Sequence, residues 1–183
     1  MKHLIACVWI VGCVLTMSGT ARGEEHFVAG TWNFGLSGSY IQYVGDVDGR
    51  YANLGISGGY MLFDRWELNL VGSAYRISQE GPNANGGAIE LLGRTYLWEE
   101  ENWAIYIDGG GGRVYTNEAT PPGGTSYNWT ARLGGGAAIR LCEKTYLMTG
   151  LRYFHLSNGR VHGTENNPSF NGVEGYVGVM WMF

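Results

Sequence analysis

His155 and Ser157 lie two residues apart near the C-terminal end of the chain, within Arg152-Tyr153-Phe154-His155-Leu156-Ser157-Asn158. On a strand, side chains alternate with period two. The two residues then share a face, and the imidazole can take the hydroxyl proton as a general base. A carboxylate follows at Glu174, in Asn171-Gly172-Val173-Glu174. If the next strand returns antiparallel, a residue near its beginning comes beside the His155 end of the preceding one. Glu174 is placed to accept from the second imidazole nitrogen, which would complete the Ser-His-acid logic of acyl transfer. Asn158 is placed to donate an amide hydrogen to the oxyanion. One feature of the pattern runs against this arrangement. His155 and Ser157 share parity with Leu147, Leu151 and Tyr153, whereas Glu174 has parity opposite to Val177, Trp181 and Phe183. If the latter set faces lipid, a bulge near Gly175 or Gly178 is needed to turn Glu174 outward.

The elements that must hold these groups read as strands. Among 183 residues there are 31 Gly and 4 Pro, aromatics make up 14% and charged residues only 15%, a composition that favours strands and close backbone contacts over helix. Eight segments are expected as strands: Trp32 to Val44, Ala52 to Leu62, Trp66 to Gln79, Gly86 to Trp98, Trp103 to Asn117, Tyr127 to Cys142, Thr145 to Asn158 and Gly172 to Phe183. Short connections at Phe63 to Arg65, Glu99 to Asn102 and Glu143-Lys144 alternate with longer ones, the asymmetry of periplasmic turns and extracellular loops. In the fifth segment Trp103, Ile105 and Ile107 oppose Ala104, Tyr106 and Asp108. In the third the alternation set by Trp66, Leu68 and Leu70 shifts phase, which suggests a bulge near Gly72. Trp66, Trp98 and Trp103 sit beside short turns, where an aromatic belt would lie. The expected fold is therefore all-β, an eight-stranded antiparallel transmembrane β-barrel with small and polar residues filling its interior. A soluble lipocalin-type barrel would share the strand count but show a wetter exterior.

The first residues read as a signal peptide, residues 1–23, with Lys2 as the positive region, an apolar run from Leu4 to about Met17, and cleavage after Gly23. Residues 24–183 then form the barrel of a bacterial outer-membrane protein. Ile10-Val11-Gly12-Cys13 has the look of a lipoprotein processing box, but the apolar run continues past it. With Cys7 and Cys13 in the signal, the mature chain keeps Cys142 alone and forms no internal disulfide. A net charge of −4 and no run of Lys or Arg argue against nucleic acid as a partner. No Cys/His spacing suits a structural zinc site. Asp46-Val47-Asp48-Gly49 lacks the remaining ligands of a calcium loop and reads as a tight turn, and Gly109 to Gly112 reads as close packing rather than a phosphate cradle. His162 reads as a solvated loop residue, His26 near the mature start as a residue without a catalytic part, and Arg160 as a loop charge or a contact to a phosphorylated head group.

His155-Leu156-Ser157-Asn158 resembles the His-x-Ser-Asn motif of the outer-membrane lipid A 3-O-deacylases, the PagL-type barrels, and Asn171-Gly172-Val173-Glu174 resembles the segment leading to their acid. The final Val179-Met180-Trp181-Met182-Phe183 resembles the aromatic terminus of outer-membrane barrels. The resemblance implies an esterase that releases the acyl chain from the 3-position of lipid A without metal or organic cofactor. His155 would be base, Ser157 nucleophile, Glu174 the residue that orients the imidazole, and Asn158 part of the oxyanion hole. The implied partners are lipopolysaccharide as substrate and the surrounding outer-membrane lipid, with homodimerisation left open. The chain departs from the family where Gly159-Arg160 stands in place of Ala-Gly after the motif, and in a longer connection to Glu174. The rival classes are a non-enzymatic barrel, structural or adhesive, and a carrier of lipophilic ligands.

Overall fold

A computed structural model describes residues 26–44, 49–161, 163 and 167–183. The signal segment, Asp46 to Asp48 and His162 lie outside the described residues. The alternating segments form eight strands: β1 (Trp32–Tyr43), β2 (Gly49–Phe63), β3 (Trp66–Gln79), β4 (Ala84–Glu100), β5 (Trp103–Thr120), β6 (Thr125–Cys142), β7 (Thr145–Ser157) and β8 (Phe170–Met182). Each pairs antiparallel with the next and β8 returns to β1, so the sheet closes and no strand edge is left unpaired. Two-residue turns at Asp64-Arg65, Glu101-Asn102 and Glu143-Lys144 mark one end, which also carries both termini of the barrel. Longer connections mark the other. With 17 or 18 residues, β4, β5 and β6 exceed the roughly 9–11 that a tilted strand needs to cross a bilayer, so they project beyond it.

The outward face is apolar, with Leu36, Leu54, Ile56, Leu70, Ile89, Leu91, Leu133, Leu151 and Val177 all exposed. Exposed aromatics gather at both rims, Trp32, Phe63, Trp98 and Phe183 at the turn end and Tyr40, Tyr115, Tyr127, Trp129 and Tyr153 towards the loop end. This is the banding of a membrane barrel. Trp103, Ile105 and Ile107 face outward opposite buried Ala104, Tyr106 and Asp108, as the alternation indicates. The expected bulge near Gly72 is absent. Register with β2 and β4 is continuous there, and Val71, Ser73, Tyr75 and Ile77 continue the inward parity of Glu67 and Asn69. The apparent phase shift came from treating the interior as uniformly small and polar. Instead, the barrel encloses apolar clusters at both ends, one around Tyr51, Tyr75, Ile77, Phe154 and Phe170 and one around Phe27, Tyr96, Tyr106, Tyr146 and Met180. Phe27, preceding the first strand, stacks on Tyr96 at 3.7 Å and fills the turn end.

Between the clusters runs a buried chain of charges. Arg94 joins Glu67 (3.2 Å) to Asp108 (3.1 Å), Arg152 joins Asp108 (2.6 Å) to Glu174 (3.7 Å), and Arg132 joins Glu174 (2.8 Å) to Glu90 (2.9 Å). Opposite charges held together inside the barrel offset the desolvation that any one of them would suffer alone. Glycine makes room nearby. A Cβ at Gly136 would lie 2.8 Å from the hydroxyls of both Tyr106 and Tyr176, which pair at 2.6 Å. With its centre filled in this way the barrel is a rigid support for groups on its outer surface.

Candidate active site

Near the end of β7, Arg152, Phe154 and Leu156 point inward and are buried, and the unbroken register with β6 gives Tyr153, His155 and Ser157 the opposite, outward parity, with Ser157 itself covered by its neighbours. Parity thus brings imidazole and hydroxyl to one side, as the sequence indicates. His155 Nε2 lies 3.0 Å from Ser157 Oγ, within reach for proton transfer. Ser157 is only 8% exposed, so little of the hydroxyl's surface is open. Its cross-strand neighbour on β6 is Trp129, an exposed residue of the loop-end aromatic rim. The pair therefore sits at the boundary between hydrocarbon and head groups.

The imidazole has a second partner, and it is not a carboxylate. His155 pairs directly across the ladder with Asn171 on β8, and Nδ1 lies 2.7 Å from Asn171 Oδ1. The Tyr153 hydroxyl donates to the same oxygen at 2.6 Å. Asn171 is itself fixed, because its backbone carbonyl accepts from Val44 N at 2.9 Å. An amide oxygen facing Nδ1 favours the neutral tautomer with hydrogen on Nδ1, which leaves the Nε2 lone pair for the serine proton.

Glu174 lies elsewhere. The β7–β8 and β8–β1 ladders run without register shift through Gly175 and Gly178, so the bulge that would turn Glu174 outward does not occur. Glu174 keeps the inward parity of Tyr176, Met180 and Met182, is 0% exposed, and accepts from Arg132 Nη1 at 2.8 and 3.1 Å. It sits opposite Arg152 in the ladder, three residues beyond the one that meets His155. The position expected for the acid is thus taken up by the interior charge chain, and Asn171 stands beside the imidazole instead. The sequence did contain a signal for this, since Asn171 has the lipid-facing parity of Val173 and Val177.

Asn158, next to Ser157, is 3% exposed and opens a tight turn. Gly159 and Arg160 both have positive φ (67° and 64°), and Val161 N reaches Asn158 O at 3.5 Å, the geometry of a type I′ turn. Asn158 Oδ1 accepts from Arg160 N at 2.9 Å, and Asn158 N donates to Asn167 Oδ1 at 3.0 Å. A glycine suits the first turn position twice over. It takes the left-handed conformation freely, and a Cβ there would crowd Trp129 at 3.1 Å. Of the other histidines, His26 lies at the turn end near Arg140, far along the barrel from Ser157. Among the described residues no three His, Cys, Asp or Glu side chains converge in a metal-binding arrangement.

A closed eight-stranded barrel with an apolar waist, aromatic rims and alternating turns and loops is an outer-membrane β-barrel, here carrying a serine-histidine pair on its lipid-facing rim. Solved structures agree on the fold. The outer-membrane enzyme PagL is 16% identical with a TM-score of 0.61, covering 79% of this chain and 97% of that one. The N-terminal barrel domain of Pseudomonas aeruginosa OprF is 16% identical with a TM-score of 0.59, covering 85% and 98%. The outer-membrane protein AlkL is 13% identical with a TM-score of 0.51, covering 91% and 96%. No curated protein sequence gives a significant match. The family model described as lipid A 3-O-deacylase (PagL) matches residues 17–180, and the chain belongs to that family.

Proposed function

We propose that this barrel hydrolyses the ester joining an acyl chain to the 3-position of lipid A, with Ser157 as nucleophile, His155 as base and Asn171 as the residue that orients the imidazole. The observation that carries the reading is the relay from Ser157 Oγ to His155 Nε2 (3.0 Å) and from His155 Nδ1 to Asn171 Oδ1 (2.7 Å) on the lipid-facing rim. Membership of the deacylase family supports the substrate, and the loop-end position supports an ester at the head-group boundary of the outer leaflet.

In the first step Ser157 Oγ attacks the acyl carbonyl while its proton passes to His155 Nε2. The Oγ–C bond forms and the carbonyl oxygen becomes an oxyanion, which we assign to the side-chain amide of Asn158. Collapse breaks the bond to the sugar oxygen, and His155 returns its proton to that oxygen as the deacylated sugar leaves. Water then attacks the acyl-enzyme with His155 again as base, releasing the fatty acid and restoring Ser157. Asn171 supplies no charge, so its part is to hold ring orientation and tautomer. Glu174 acts in this reading as a counter-ion for Arg132 and Arg152 that keeps the barrel centre rigid.

Fatty-acid release from lipid A by the purified, folded protein in detergent micelles tests the reading. Wild type should release the 3-O-linked chain and Ser157→Ala should release none. Equal release by both proteins would overturn the assignment of Ser157.

A further inference from the structure

Arg113 occupies an unusual place for a charged side chain. It lies on β5 with outward parity, opposite to buried Val114, at the loop-end aromatic rim. Its guanidinium is stacked 2.9 Å from the ring centroid of Trp129 and lies 4.7 Å from that of Tyr127. Among the described residues the Arg113 side chain makes no hydrogen bond or ion pair. The contrast with the interior arginines is plain, since Arg94, Arg132 and Arg152 each pair with two carboxylates. A cation facing the membrane is costly unless an anion or water meets it, and a guanidinium held by its face keeps its edge N–H donors for a planar or tetrahedral oxyanion.

The ladder connects Arg113 to the site. Arg113 pairs with Trp129, and Trp129 pairs with Ser157, so the three stand in one row across β5, β6 and β7 on the outward face. Two strand spacings separate Arg113 from the nucleophile, roughly 10 Å. A phosphorylated sugar head group bridges such a gap when its acyl ester lies at Ser157. Trp129 serves both groups, flanking Ser157 on one side and seating the guanidinium on its ring.

We infer that Arg113, seated on Trp129 and Tyr127, is a phosphate-binding subsite that holds the phosphorylated glucosamine head group of the lipid substrate while its ester lies at Ser157. The inference rests on the deacylase reading above and adds a recognition element outside the relay. Arginine suits the task because its paired N–H groups grip two phosphate oxygens at once.

The test compares lipid A with chemically dephosphorylated lipid A as substrates in neutral-detergent micelles. In Arg113→Met the ratio of kcat/KM for the phosphorylated over the dephosphorylated lipid should fall about tenfold, through KM. Arg76→Met, which removes an outward arginine from β3, should keep the wild-type ratio. Equal losses on both lipids, or an unchanged ratio in Arg113→Met, would overturn the subsite. If wild type turns over neither lipid, the deacylase reading itself fails, and binding decides the subsite separately. The Ser157→Ala protein should then prefer phosphorylated over dephosphorylated lipid A, and it should lose that preference when Arg113→Met is added. A preference that survives Arg113→Met, or one shown equally for phosphatidylglycerol micelles, would refute a head-group site.

Discussion

Replacing Asn171 by Leu separates the relay described above from one built on Glu174. The substitution roughly keeps side-chain volume but removes the oxygen that meets His155 Nδ1 at 2.7 Å and the Tyr153 hydroxyl at 2.6 Å. A partly buried N–H left without an acceptor costs about 1–3 kcal/mol. If that cost falls on the conformer competent for proton transfer, kcat drops by roughly 5- to 150-fold, since about 1.4 kcal/mol is a factor of ten. Asn171→Asp keeps an acceptor at the same place and should retain most activity. Glu174→Gln should behave in the opposite way. It breaks a buried ion pair with Arg132, so about 3–5 kcal/mol of barrel stability is at risk, lessened by the hydrogen bonds that Gln can still accept. The fraction that folds should keep kcat close to wild type. The assay is fatty-acid release from micellar lipid A, normalised to folded barrel by its heat-modifiable migration, together with thermal unfolding of each variant. A Glu174→Gln protein that is folded but catalytically dead, beside an active Asn171→Leu, would refute the relay.

His155→Ala and Ser157→Ala should each lose nearly as much activity as the double variant, because two groups that share one proton act as a unit, and single and double rate constants in the same assay check this. Asn158→Ala should lower kcat about 10²–10³-fold if its amide serves the oxyanion, and a loss of only a few-fold would confine it to the turn it forms with Arg160. For orientation, a protease site inserted between Pro121 and Gly124 should be cut on intact cells while one at Asp64-Arg65 is protected, and the reverse pattern would invert the barrel.

Much of this arrangement is written in side-chain parity. The alternation in Trp103 to Asp108, the short turns at Asp64, Asn102 and Glu143, and the outward pairing of His155 with Ser157 follow from a period of two and from turn chemistry. The inward face, however, is not polar along every strand. Tyr75 and Ile77 face the interior because the barrel has apolar plugs at both ends, so the shift of apolar parity after Leu70 marks such a plug and not a bulge in β3. Glu174 departs from expectation through parity as well. Its distance in sequence from His155 suits an acid, but its parity suits the interior, and only the register with Arg152 and the carboxylate-binding Arg132 show that parity prevails. Asn171 is marked in the sequence by its parity alone, because a neutral amide is not an obvious member of a catalytic relay. The charge chain itself is scattered over six strands, β3 to β8, and no local pattern joins its members.

In the proposed reaction Ser157 removes the 3-O-linked acyl chain of lipid A in the membrane where the barrel resides. Mass spectrometry of lipid A extracted from cells producing either the wild-type protein or Ser157→Ala, at matched levels of folded barrel, tests it most directly. Lipid A lacking one ester-linked acyl chain at the 3-position is expected in the first cells and unaltered lipid A in the second. Identical lipid A in both would contradict it.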